Sequence, residues 1–207
     1  MDQKLILDFG FWILDDEERI VPLQSKIQNP KSKIASTRIL GIDPGLNITG
    51  YGVLDVVAGG VKLCEAGVVR GRNRESLTAR LFEIHQGVAE VIAQLSPSAM
   101  ALEQLYSHYK QPRTSILMGH ARGVICLAAA QAGIPVIHYS ATQIKKVLTG
   151  NGRAPKSQMQ QAIQRELALA AVPEPPDVAD ALAIALCHYY LNVRRTLAAA
   201  AKVRPNG

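Results

Sequence analysis

Four carboxylates in this chain stand where carboxylates are rarely idle. Asp43 ends the apolar run Ile39-Leu40-Gly41-Ile42 and leads into Pro44-Gly45, where the backbone must bend sharply. Glu103 closes a second apolar run, Ala99-Met100-Ala101-Leu102. Asp177 and Asp180 lie three residues apart at the head of a third, 181–186. Taken singly, Asp43 suits a plain turn and Asp177 or Asp180 a helix cap. Glu103 is harder to dismiss, because a carboxylate within a buried-looking strand needs a partner.

Four anions brought together coexist only with raised pKa values or with a cation among them. His108, His120, His138 and His188 show no ligand-type spacing. Oxygen-only ligation suits a hard divalent ion, Mg²⁺ or Mn²⁺. Such ions bridge phosphate oxygens and activate water, and two of them roughly 4 Å apart can clamp an in-line displacement at phosphorus. The chemistry suggested is phosphodiester hydrolysis.

Charge supports a polyanionic partner. Residues 1–38 hold six acids and six bases, so the formal +6 of the 207-residue chain belongs entirely to 39–207. There 17 Lys and Arg face 11 Asp and Glu, and with four acids committed to metal the rest stand 17 against 7. A surface of that balance attracts nucleic acid. At 48% hydrophobic and 19% charged, the composition is globular. No apolar run approaches the ~18 residues of a membrane span, and Asp15-Asp16-Glu17-Glu18 after the first apolar patch does not read as a signal peptide. Cys64, Cys126 and Cys187 are widely spaced and odd in number, which predicts buried thiols in a reducing compartment, the cytoplasm.

The elements that must carry these residues follow from hydrophobic period. Residues 1–38 lack a clear period and include a Gln/Asn/Pro/Lys/Ser-rich stretch, so they read as a loosely docked extension. The nuclease domain is expected over 39–193, with a tail at 194–207. Strands are predicted at 39–43, 48–57 and 61–69, a meander turning at Gly59-Gly60. A helix follows over about 76–95 with Leu77, Leu81, Ile84, Val88, Val91, Ile92 and Leu95 on one stripe. Then come a strand at 99–103, a helix at about 114–132 and a strand at 135–139. A short helix to 148, a helix at 156–170 and a final one at 177–193 complete an α/β domain with a mixed five-stranded sheet.

From residue 39 to about 193 the chain resembles the RuvC family of Holliday junction resolvases. The resemblance rests on Ile39-Leu40-Gly41-Ile42-Asp43-Pro44-Gly45 with Thr49-Gly50-Tyr51-Gly52, on Leu102-Glu103-Gln104, on Gly119 with Ala121-Arg122-Gly123, on Lys156-Ser157-Gln158, and on 177–185, Asp-Val-Ala-Asp-Ala-Leu-Ala-Ile-Ala. It implies an RNase H-like fold and a homodimer that nicks opposed strands of a four-way DNA junction, leaving 5′-phosphates, in concert with the RuvA–RuvB branch-migration complex. Asp43, Glu103, Asp177 and Asp180 match the family's metal-binding acids, expected to hold two Mg²⁺ ions, with Mn²⁺ a substitute. Position 177, histidine in some relatives, is Asp here. Tyr106 falls where the family places an aromatic residue near the crossover, and Lys145 and Lys156 match lysines that reach the scissile strand. Lys110, Arg113, Lys146 and Arg153 are candidate backbone contacts. Arg122, on an otherwise apolar helix, reads as a packing residue or a dimer contact. The extension through residue 38 departs from the family pattern.

Three rivals are weighed against that reading. An RNase H-like nuclease acting on another structured nucleic acid, such as a ribosomal-RNA precursor, would share Asp43 and the acidic helix without needing Tyr106 or the lysines. A non-catalytic junction-binding protein would not need all four acids. An ATPase of the actin and Hsp70 type needs two such domains, and this chain has room for one.

Overall fold

The computed structural model describes residues 37–71, 76–105 and 112–197, all within one compact unit that spans 34–207. The segment before residue 37, together with Tyr106 and Lys110, lies outside the described residues. Five strands form one sheet: β1 (Arg38–Asp43), β2 (Ile48–Val57), β3 (Gly60–Arg70), β4 (Ala99–Glu103) and β5 (Val136–Tyr139). Their order is β3-β2-β1-β4-β5, antiparallel among the first three and parallel from β1 through β4 to β5. The mixed sheet expected from the hydrophobic pattern is present.

Strand side chains alternate between the two faces, and each face has its own core. Leu40, Ile42, Val53, Met100 and Leu102 pack with Ile84 and Val88 of α1 (Leu77–Leu95) and Ala121 and Ile125 of α2 (Pro112–Gln131). Ile39, Leu54 and Ala101 point the other way, into a core shared with α3 (Ala141–Thr149), α4 (Lys156–Glu166) and α5 (Pro176–His188). The layers are helix, sheet, helix.

Helix α5 is the element that matters most for the site. All residues from Ala181 to His188 are buried, because α5 lies between the sheet on one side and α3 and α4 on the other. A helix apolar all round must be enclosed all round. Its approach to the sheet is unusually close, and glycines allow it. A Cβ on Gly41 would overlap the Ala181 carbonyl oxygen and lie 2.7 Å from the Ala185 nitrogen. At Gly52 it would lie 2.5 Å from Leu182 Cδ2, and at Gly50 it would overlap the Asp177 carbonyl oxygen. Strand glycines often mark such contacts with another backbone.

Four expectations need correction. Helix α4 ends at Glu166 rather than at 170: Ala168 takes a left-handed φ of 49°, and the Gln164 side-chain amide donates to the Leu169 carbonyl. Helix α2 starts at Pro112, not 114, since proline's fixed φ and missing N–H suit a first helical position. The last helix does not stop at Val193. Residues 189–193 form a π-helical segment and helical backbone continues to Leu197, inside the expected tail. Cys187 is buried as expected, but Cys64 is exposed on β3, an edge strand that leaves one side open to solvent.

Candidate active site

Asp43 is the last residue of β1, and the turn that follows is pinned. The Thr49 hydroxyl, fully buried, donates to the Gly45 carbonyl at 2.7 Å and accepts from the Gly45 N–H at 3.3 Å. Because Ile42 pairs with Leu102 in parallel register, the next residues, Asp43 and Glu103, leave neighbouring strands at the same level. Both lie on the pleat face of Gly41 and Ala101, the face that α5 covers. Asp43 also pairs with Gly50, the glycine on which the Asp177 backbone rests. Asp180 follows one turn along α5, on the same side of the helix. Three separate pieces of chain thus deliver four acids to one end of the sheet.

Electrostatics register that convergence. Asp43 is pushed up to about 7, first by burial, then by the charges of Asp180, Glu103 and Asp177, with Lys156 opposing. Glu103 is raised by burial and by Asp180, and is held back by Lys145 and Arg122. A cleft of about 270 Å³ opens beside them, lined by Glu103, Asp180, Lys145 and Lys156 among others. The Lys156 ammonium donates to Asp180 Oδ2 at 3.0 Å.

The donor set is chemically right for a hard divalent ion: four carboxylates, no thiolate and no imidazole. Among the described residues, no three Asp, Glu, His or Cys side chains are gathered closely enough to hold a metal ion. Arg113, Lys146 and Arg153 do not line the cleft. His188, assigned no metal role, is buried and bonds through Nδ1 to the Tyr139 hydroxyl at 2.8 Å.

Arg122 was legible only as a packing or dimer residue. Its Nη2 donates to His138 Nδ1 at 3.0 Å, its Nη1 is enclosed with no partner among the described residues, and its charge reaches Glu103. A guanidinium only donates, so His138 must present Nδ1 as an acceptor; burial and the arginine's charge lower its pKa. The signal available in the sequence is an arginine amid the apolar residues Ile116, Leu117, Val124 and Leu127. Gly41, Thr49, Gly50 and Gly52 stand within the 39–52 motif, but the sequence does not announce that the glycines admit α5 or that the Thr49 hydroxyl pins the turn.

Comparison with known proteins agrees with the geometry. The family model described as crossover junction endodeoxyribonuclease RuvC matches residues 39–188. The RuvC of Rhodopirellula baltica is 63% identical over 155 residues, covering 74% of this chain and 86% of that protein. That of Moorella thermoacetica is 45% identical over 150 residues, covering 72% and 89%. The structure of Thermus thermophilus RuvC in complex with Holliday junction substrate superposes with a TM-score of 0.72 at 35% identity, covering 77% of this chain and 97% of the other. With an RNase H-like fold, and with relatives matched over nearly their whole length, the chain belongs to the RuvC family of crossover junction endodeoxyribonucleases.

Proposed function

We propose that this protein resolves four-way DNA junctions by divalent-metal-dependent hydrolysis, with Asp43, Glu103, Asp177 and Asp180 as the metal-binding acids. The observation that carries the reading is the state of Asp43: a carboxyl raised to about 7 by burial and three neighbouring acids, beside a cleft lined by two lysines. Repulsion of that kind is relieved by a cation. Mg²⁺, with Mn²⁺ as a substitute, fits the all-oxygen donors, and four acids suffice for two ions. Bound there, the metal supplies positive charge for the phosphate oxygens and acidifies water.

The chain's own groups do the rest. Asp43 and Glu103 are carried by strand ends and Asp177 and Asp180 by α5, elements held by the packed core, while the Asp180 side chain itself is half-exposed and paired with Lys156. Lys145 and Lys156 bring the cleft its positive charge for the scissile strand. Tyr106 and Lys110 are further candidate DNA contacts, together with Arg113, Lys146 and Arg153. The catalytic domain is read as residues 39–193, preceded by an extension.

Two opposed cuts require two sites, and the outer face of α2 suits a homodimer. Ile116 is 61% exposed and Leu127 50%, and beyond the helix's own turns nothing among the described residues lies within 4 Å of a Cβ placed on Gly119 or Gly123 between them. An apolar helical face with open glycines allows close approach of a second copy, and two-fold symmetry would match the junction's own. Leu127→Glu should convert a dimer to monomers in sedimentation while leaving the melting temperature within about 2 °C, because Leu127 contributes little to the core. It should also uncouple the two nicks. RuvA–RuvB is the proposed partner complex and the bacterial cytoplasm the place of work. No helix among the described residues is long and apolar enough to cross a membrane.

A labelled four-way junction, a linear duplex and an RNA–DNA hybrid, each incubated with protein and Mg²⁺, test the assignment. Symmetric nicking of the junction alone is expected, and preference for the hybrid would overturn it. Lys145→Ala and Lys156→Ala should each slow cleavage and flatten the log–log salt dependence of junction binding by about one unit per lost phosphate contact. An unchanged slope and rate would remove that lysine from the site.

A further inference from the structure

Lys156 stands in an odd place for a cation. It is the first residue of α4, whose N-terminus has no side-chain cap and no acid in its first turn. A helix N-terminus carries partial positive charge and disfavours a lysine. What offsets that is Asp180: Nζ lies 3.0 Å from Oδ2, across 24 positions of sequence, and the ammonium's charge also reaches Asp43. The ion pair is half-exposed, at 55% and 42% for the two side chains, so neither partner is locked by packing.

We propose that Lys156 and the divalent ion are alternative cations for Asp180: loading the ion displaces the ammonium, which then turns to the phosphate of the strand to be cut. The inference rests on the metal-site reading above. A hard ion draws carboxylate oxygens to about 2.1 Å, and at that range its two charges repel an ammonium still held on the same carboxylate. The displaced lysine remains at the cleft wall with Glu103, Lys145 and Asp180. One side chain thus neutralises the acids before loading and grips DNA after it. The acids need not face one another uncompensated, and the lysine's strongest hold on phosphate arises only in a loaded site.

Calorimetric titration of Mn²⁺ into the full-length protein without DNA decides the matter, independently of cleavage. Lys156→Gln removes the competitor and should bind Mn²⁺ about two- to tenfold more tightly than wild type at low salt, on the scale of an exposed ion pair. Lys156→Arg keeps the charge and should bind as wild type does. Equal or weaker binding by Lys156→Gln, or equal tightening in both variants, would overturn the proposal, because competition requires the charge to matter. Asp43→Asn serves as the control for the site itself. If it binds Mn²⁺ as wild type does, the metal-site reading fails and the proposal with it. If it loses binding, the metal site stands, and the contrast between Lys156→Gln and Lys156→Arg alone decides for or against displacement.

Discussion

Asp43→Asn is expected to lower single-turnover junction cleavage by at least about a thousandfold while leaving junction affinity within a few-fold. Loss of one charge-stabilising group at a reacting centre is commonly worth about 10² to 10³ in rate, and Asp43 is the acid on which the charges of the other three act. Binding should survive because phosphate contacts supply most of the affinity. The same variant makes an opposite prediction for stability. A carboxyl whose folded value is raised from 3.8 to about 7 favours the folded state while protonated. That contribution is complete below the unfolded value near 4 and is lost as pH rises through about 7. In EDTA, wild-type stability should therefore fall across that window. Asp43→Asn, uncharged throughout, should remove this slope and be more stable near pH 8 by up to about 4 kcal/mol, since a tenfold change in proton affinity corresponds to roughly 1.4 kcal/mol. Denaturant melts at pH 5 and pH 8 measure it. A variant less stable than wild type at pH 8 would show that the Asp43 carboxylate contributes to holding the fold together.

Gly41→Ala should be among the most damaging single-methyl changes in the described chain. The new Cβ would meet the Ala181 carbonyl oxygen, the Ala185 nitrogen at 2.7 Å and the Ala185 Cβ at 2.8 Å. None of these is the free end of a flexible side chain, so relief requires strand and helix to move apart. Overpacking costs typically about 1–3 kcal/mol, and against backbone at the centre of the sheet we expect at least about 3 kcal/mol, seen as a fall in the denaturation midpoint. Gly50→Ala separates stability from function. Its Cβ strikes the Asp177 backbone, so the first turn of α5 must lift, carrying Asp177 away from Asp43. Mn²⁺ affinity should drop about tenfold or more even where the variant remains folded. Wild-type metal binding in folded Gly50→Ala would detach Asp177 from the site.

The four candidate acids stand out in the sequence because their signals are local. A carboxylate that closes an apolar strand run, and a pair at i and i+3 before an apolar helix, declare themselves through periodicity alone. The central strands were legible for the same reason, with β1 and β4 each carrying apolar residues toward both faces. The glycines under α5 were legible as motif residues but not as contact points, since an absent side chain announces nothing about which backbone occupies the space. Arg122 was half legible: its apolar neighbours marked it as unusual, but His138 and Glu103 approach from elements 16 and 19 residues away. The end of α4 was missed because Leu167, Ala168 and Leu169 are all good helix formers, and the stop comes from a left-handed Ala168 with a Gln164 side chain, a tertiary choice rather than a propensity.

Enclosure of α5 sets how the enzyme should fail. Asp177 and Asp180 ride on a helix whose every residue from 181 to 188 is out of reach of solvent, seated backbone to backbone on the central strands. Such a helix has no cheap partial opening of its own; releasing it strips one whole face of the sheet. Heat or denaturant should therefore leave no half-working form in which the sheet persists but the acids have drifted apart, and activity and architecture should vanish in a single step.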